Sequence, residues 1–224
     1  MLNLSLKEFK KNLKKKKNLV LYFSLKQNKD KEVNNLINNF LHEKNSFVFE
    51  SIEKGYIKGR YTIFGKNPDK IWEFNNKSCK LIIDKKKINL KGSAKKIIEN
   101  IIENFKFSTP KELPPICSLL SGYFSYDIIR YLEKIPNKNN DDLKIPDVRL
   151  IRPRNLIIQD NLKKKIYFIV NVFNDKKIKN FDLKYREIIN EIEKMVFLSN
   201  FEKKNIPNKN NDDLKIPDVR LIRP

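Results

Sequence analysis

Between Ser46 and Leu90 the chain runs in short Ile-, Phe- and Tyr-rich segments broken by turn residues, and this pattern limits the fold more than any other feature. The segments Ser46–Glu53, Arg60–Phe64, Lys70–Phe74, Cys79–Ile83 and Lys87–Leu90 are separated by Gly, Asn-Pro, Asn-Asn and Asp-Lys signals. Parallel strands need long crossover connections, and gaps this short favour antiparallel meanders over βαβ units. Helical periodicity flanks the β region. Ser5-Leu6-Lys7-Glu8 is a capping-box pattern opening a helix with Leu6, Phe9 and Leu13 on one face, and a strand over Leu19–Leu25 should follow. Val33, Leu36, Ile37, Phe40 and Leu41 predict a second helix over 30–43, and Ser93 caps a third with Ile97, Ile98, Ile101, Ile102 and Phe105. Beyond the loop 109–115, a strand near 119–126 leads into a short helix over 128–133, with Asp127 as its N-cap. Residues 156–159 and 165–173 form a hairpin, its second strand apolar enough to be buried on both faces. An amphipathic helix over 182–197 closes the pattern. The fold class predicted is α+β, with antiparallel β-sheets in a sandwich-like arrangement and flanking helices.

Residues 206–224 repeat residues 135–153 without one change: IPNKNNDDLKIPDVRLIRP stands in both places. Repeats that stack into solenoids recur several times and drift in sequence, because only their core-facing positions are constrained. Two identical copies read instead as a duplication or rearrangement of the coding sequence, so the natural C-terminal part is expected to have been replaced. The organisation expected is an N-terminal helix and strand over 1–29, a domain over 30–198, and a tail over 199–224 outside the native fold.

The formal net charge of +21 invites a nucleic-acid reading. Its make-up argues against one. Of the 48 basic residues 40 are lysine, asparagine occurs 29 times and alanine once, at Ala94. Lysine, asparagine and isoleucine have A/T-rich codons, so a coding sequence drifting towards A and T gives this composition with no partner selecting for it. Apart from Lys14–Lys17 the lysines are scattered. No apolar run approaches the length of a membrane span. The basic N-terminus before Leu19–Leu25 lacks the length and cleavage site of a secretory signal. Cys79 and Cys117 have no metal-type spacing and are expected to be reduced, buried thiols. His42 is the only histidine, which excludes a multi-histidine metal site.

No active site is recognisable from chemistry alone. The five glycines never group as a phosphate-cradling loop, and neither a nucleophile motif nor a singled-out carboxylate pair is present. Three segments are unusual in kind. In Phe49-Glu50-Ser51, strand alternation puts Glu50 beside Val48 and Ile52, and a carboxylate among apolar neighbours needs a partner. Gly59-Arg60-Tyr61-Thr62-Ile63-Phe64-Gly65 offers an arginine, and a Glu50–Arg60 pair is expected. Gly122-Tyr123-Phe124-Ser125-Tyr126-Asp127 sets three aromatics beside a helix cap.

These segments, in this order, resemble the N-terminal domain of anthranilate synthase component I, in the chorismate-utilising enzyme family. The matching text is SFVFESIEKGYIKGRYTIFGKNPDKIW (46–72), LPPICSLLSGYFSYDIIRYLEKIP (113–136) and DDLKIPDVRLIRPRNLIIQDN (141–161), followed by the strand IYFIVNVF (166–173). The family's glycine-rich turn before the Gly-Tyr motif is replaced here by Ser118-Leu119-Leu120-Ser121. The resemblance implies an enzyme that turns chorismate and glutamine-derived ammonia into anthranilate and pyruvate in tryptophan synthesis. It implies a glutamine amidotransferase subunit as partner, a cytoplasmic location and tryptophan as feedback inhibitor. The family's glutamate-serine pair falls on Glu50 and Ser51, which carries the inhibitor-binding role to them. Arg60 and Tyr61 belong to the matching glycine-arginine-tyrosine segment and are expected to shape the same pocket. The magnesium-binding carboxylates and chorismate-binding residues belong to the family's catalytic half, so no cofactor is expected in this chain, and Mg2+ only in the complete enzyme. Aminodeoxychorismate synthase component I is a second family reading. A basic nucleic-acid-binding module, of another class, would require affinity that falls steeply with salt.

Overall fold

The structure, a computed structural model, describes residues 2–27, 35, 39, 43–50, 59–76, 78–107, 109–131, 133–136, 143–175 and 178–200. The expected helix over 30–43 lies largely outside them, as do His42 and the repeat copy 206–224. Helix α1 (Leu6–Lys14) begins with the capping box read from sequence: Ser5 Oγ accepts from the Glu8 N–H, and the Glu8 carboxylate accepts from the Ser5 N–H at 2.9 Å. Strand β1 (Leu19–Lys26) follows. After β2 (Phe47–Phe49) come β3 (Tyr61–Asn75), β4 (Ser78–Ile83) and β5 (Lys86–Leu90). Helix α2 (Ala94–Asn104) is capped by Ser93, as expected. Strands β6 (Ser121–Phe124), β7 (Val148–Asp160) and β8 (Lys165–Val172) and helix α3 (Phe181–Asn200) complete the order.

The strands form one antiparallel sheet in the order β1-β8-β7-β3-β4-β5, with β2 added to β3 and β6 added to β7. Two expected strands, 60–64 and 70–74, are a single long strand. The register between β3 and β7 slips between Pro68 and Lys70, where Pro68 faces Pro153. Prolines donate no hydrogen bond, so the ladder is interrupted there and the sheet divides into two halves that share β3 and β7.

The half built from β1, β8, the second part of β7 and the first part of β3 is covered on both faces. Ile166, Phe168, Val170 and Val172 of β8 pack with Phe9 and Leu13 of α1 and Ile188, Ile192 and Met195 of α3. Tyr167 and Ile169 pack on the other face against Leu113, Cys117 and their neighbours. Every β8 residue after Lys165 is buried, which is why its sequence runs apolar without alternation. In the second half, Trp72, Phe74, Val148 and Leu150 pack beneath Ala94 and Ile97 of α2. The α+β class with antiparallel sheet is the one observed. One local expectation fails: the short helix is a 3-10 helix over Tyr126–Tyr131 that contains Asp127 instead of being capped by it, and Asp127 pairs with Arg130 at 3.2 Å. Among the described residues no helix is long and apolar enough to cross a membrane.

Candidate functional site

The glycine-arginine-tyrosine motif stands at the start of β3, and its glycines have separate reasons. Gly59 has φ +75, a conformation that L side chains rarely adopt. Gly65 lies under the Phe47 ring of β2, where a Cβ would come within 2.1 Å of ring carbons. Phe47 stacks in turn on Phe49, with centroids 4.8 Å apart. A side chain at Gly65 would therefore displace the Phe47 ring from its place over β3.

Arg60 turns to Asp160, the residue facing Tyr61 across the β3–β7 ladder, not to Glu50 as expected. Its Nε donates to Oδ1 at 3.0 Å and its Nη2 to Oδ2 at 2.9 Å, a two-pronged fork. Asp160 is 1 % exposed and also accepts the backbone N–H groups of Leu162 and Lys163 at 3.0 Å each. Burial pushes its carboxyl up, but the Arg60 fork and the two N–H donors outweigh burial and hold it below the usual carboxylate range. Asp160 in return raises Arg60.

The guanidinium carbon lies 4.8 Å from the centre of the Tyr61 ring. Burial first, then the Asp160 charge, raises the Tyr61 hydroxyl, and the same two causes raise Tyr167 on β8. Tyr167 meets Tyr22 of β1 edge-on at 6.3 Å. Tyr61 thus lies against a fixed cation, Tyr167 feels the same Asp160–Arg60 pair, and Tyr22 packs behind Tyr167. With Arg60 already neutralised by Asp160, the arrangement offers a fixed aromatic wall, and among these described residues there is no nucleophile or general base of suitable pKa.

Of the sequence-predicted residues, Arg60 and Tyr61 sit together in this cluster. Glu50 lies just past the last residue of β2 and is exposed. An exposed carboxylate is solvated by water, so it does not need the arginine that the alternation argument assigned to it. Ser51 lies outside the described residues. Asp160 stands where β7 enters the hairpin turn and accepts the Leu162 and Lys163 N–H groups there, and no sequence spacing links it to Arg60. In the aromatic segment Phe124 is 54 % and Tyr126 91 % exposed, and packing accounts for its glycine: a Cβ on Gly122 would stand 1.9 Å from the Arg149 carbonyl oxygen, so only glycine lets β6 approach β7. The Ser118–Ser121 stretch runs extended from Ser118, at φ −142 and ψ 127, into β6.

A second polar cluster marks the slip in the ladder. Arg152 forks onto Asp69, reaches Asp175 at 2.9 Å and lies 3.7 Å above the Phe173 ring. Lys70 also bonds Asp175. Burial raises the Asp175 carboxyl, yet Lys70 and Arg152 bring it below the ordinary range. Every cation here already has its counter-ion, so this is structural wiring. Cys79 and Cys117 are free and buried, and burial pushes the Cys79 thiol up to about 12, which makes it inert as a nucleophile.

Comparison with known proteins agrees with the sequence reading. No family model matches the chain. Anthranilate synthase component 1 of Cereibacter sphaeroides is 29% identical over 167 residues, covering 72% of this chain and 33% of that protein. The protein of the same name from Acetivibrio thermocellus is 35% identical over 127 residues, 56% of this chain and 26% of the relative. That from Aquifex aeolicus is 30% identical over 177 residues, 77% and 35%. Among solved structures, anthranilate synthase component I from Streptococcus pneumoniae TIGR4 aligns at a TM-score of 0.45 with 18% identity over 70% of this chain and 34% of the other. This chain is homologous to part of anthranilate synthase component 1, and spans about a third or less of the relatives named here.

Proposed function

We propose that this chain is the N-terminal, tryptophan-sensing part of an anthranilate synthase component I. The complete enzyme would convert chorismate and ammonia from a glutamine amidotransferase subunit into anthranilate and pyruvate, in the cytoplasm. Magnesium and chorismate would be held by the other half, and this chain alone would carry no catalysis. The observation that supports the reading is the Arg60–Asp160 fork, which joins two of the segments that resemble the family, 46–72 and 141–161. It fixes a cation and the Tyr61 ring at the start of β3.

In this reading Glu50 receives the ammonium group of the inhibitor, and Ser51 gives the directional hydrogen bond. Arg60 and Tyr61 hold the wall in place. Inhibition would then arise because the inhibited arrangement of the two halves binds tryptophan better than the active one. A half-pocket leaves polar groups of the ligand without partners, so binding to this chain is expected to be weak. Calorimetric titration of tryptophan tests the assignment. Ser51→Phe is expected to abolish the binding heat while leaving the unfolding midpoint in place, and unchanged affinity would remove Ser51 from the site.

A further inference from the structure

We infer that the chain holds a binding site distinct from the one proposed for tryptophan. It takes a small neutral ring that carries an N–H beside a C=O, and the side-chain amide of Asn171 recognises it. Between Ile151 and Asn155, β7 changes neighbours: its pairing with β8 ends at Asn155–Val170, and its pairing with β6 covers Val148 to Ile151. β8 continues past that point beside β1, with Asn171 paired to Val20 and Val172 to Leu19. A cavity of about 470 Å³ opens where the strands part, and Pro68, Arg154, Asn171, Val172, Ile178 and Leu183 are among the residues that line it. That volume suits a small organic molecule.

Asn171 sets this cavity apart. It is 1 % exposed, and among the described residues neither its Nδ2 nor its Oδ1 has a hydrogen-bond partner. The other buried polar side chains near the slip are met: Asn155 donates to Glu191 and accepts from Asn67, and Arg152 forks onto Asp69. Leaving a buried donor and a buried acceptor unmade is costly, and folded proteins seldom do so without a ligand or a bound water to pair with them.

The lining decides the charge of the ligand. Arg154 bonds Glu191, Lys184 bonds Glu187 and Asp69 bonds Arg152, while Lys179 and Asp84 are exposed. Every ion at the wall is thus met by another side chain or by water. A charged ligand would give up its own hydration with no counter-ion waiting. Pro68, Val172, Ile178 and Leu183 add apolar walls. An asparagine amide presents N–H and C=O side by side, and its complement is a planar group with the same pair reversed, as in a lactam or a pyrimidinone. Two hydrogen bonds then satisfy both orphaned atoms at once. The amide is shut off from solvent where it now stands, so binding turns it into the cavity that it lines.

Uracil is the probe, titrated into the full chain and followed by NMR. Saturable shifts are expected at the Asn171 side-chain amide and at the backbone amides of Val172 and Leu183. Thymine adds a methyl group but keeps the N–H, and should bind as uracil does. Dimethyluracil, methylated on both ring nitrogens, should bind at least about tenfold more weakly, because the Asn171 oxygen is left without a donor. Asn171→Leu keeps the branched shape without the hydrogen-bonding groups, and should abolish the shifts at Val172 and Leu183. Leu183 is 56 % exposed, so Leu183→Trp should fold normally, narrow the cavity and weaken uracil as well. If Asn171→Leu does not fold, Leu183→Trp and the dimethyluracil comparison still decide the matter. Equal affinity for uracil and dimethyluracil, or uracil binding unchanged in either variant, overturns the inference. No shift up to the solubility limit of uracil overturns it too, and leaves buried water as the partner of Asn171.

Discussion

From Tyr61 to Lys66, β3 lies in a half-sheet covered on both faces, with Phe64 turned to one cluster and Tyr61 and Ile63 to the other. From Lys70 to Asn75 the same strand has Trp72 and Phe74 beneath α2, while Glu73 on the opposite face bonds Arg149. One strand thus passes from a double-sided core into a single-sided one, and the change coincides with the slip at Pro68. The first half is where burial is deepest, so an ion pair there is held in one geometry. The second half is amphipathic and borders the short strand β6, so its core lies on one face only. A site that must orient a ligand belongs in the first half.

Three substitutions sharpen that contrast, in falling order of effect. Phe168 on β8 is 0 % exposed, in the doubly covered half. Phe168→Ala should cost about 4 kcal/mol and bring down both halves in one transition, measured by urea unfolding. Asp160→Asn removes the charge from the Arg60 fork but keeps the shape, and should cost about 2 kcal/mol at neutral pH. The sign of its pH dependence follows from the lowered carboxyl. A group whose folded pKa lies below its unfolded value stabilises above the ordinary carboxylate range and loses that contribution as pH falls through the lowered value. The loss of stability on acidification should therefore be shallower in Asp160→Asn than in the parent; an identical acid profile would show that the fork is not formed. Ser93→Ala deletes the cap of α2 at the edge of the singly covered half, and should cost about 1 kcal/mol while leaving the Asp160 acid profile alone.

Local signals were legible in the sequence. The Ser5–Glu8 capping box, the Ser93 cap and the β7–β8 hairpin all depend on residues a few positions apart. What escaped was long-range. Arg60 and Asp160 are one hundred residues apart in sequence, and no periodicity links them, so the nearer Glu50 looked like the natural partner. β3 read as two strands because Asn67-Pro68 is a turn signal; tertiary pairing absorbed it as an irregularity instead. Asp127 looked like a cap because the helix it precedes was expected to be an α-helix, whereas the 3-10 turn begins one residue before it, at Tyr126.

The central claim, that the segment from Glu50 to Tyr61 faces tryptophan, is tested most directly by amide chemical shifts of the full chain during a tryptophan titration. The account predicts saturable shifts concentrated at Glu50, Ser51, Arg60 and Tyr61, absent in Ser51→Phe and insensitive to added salt. Shifts that map instead to the Arg152 cluster, or none at all up to the solubility limit of tryptophan, would contradict it.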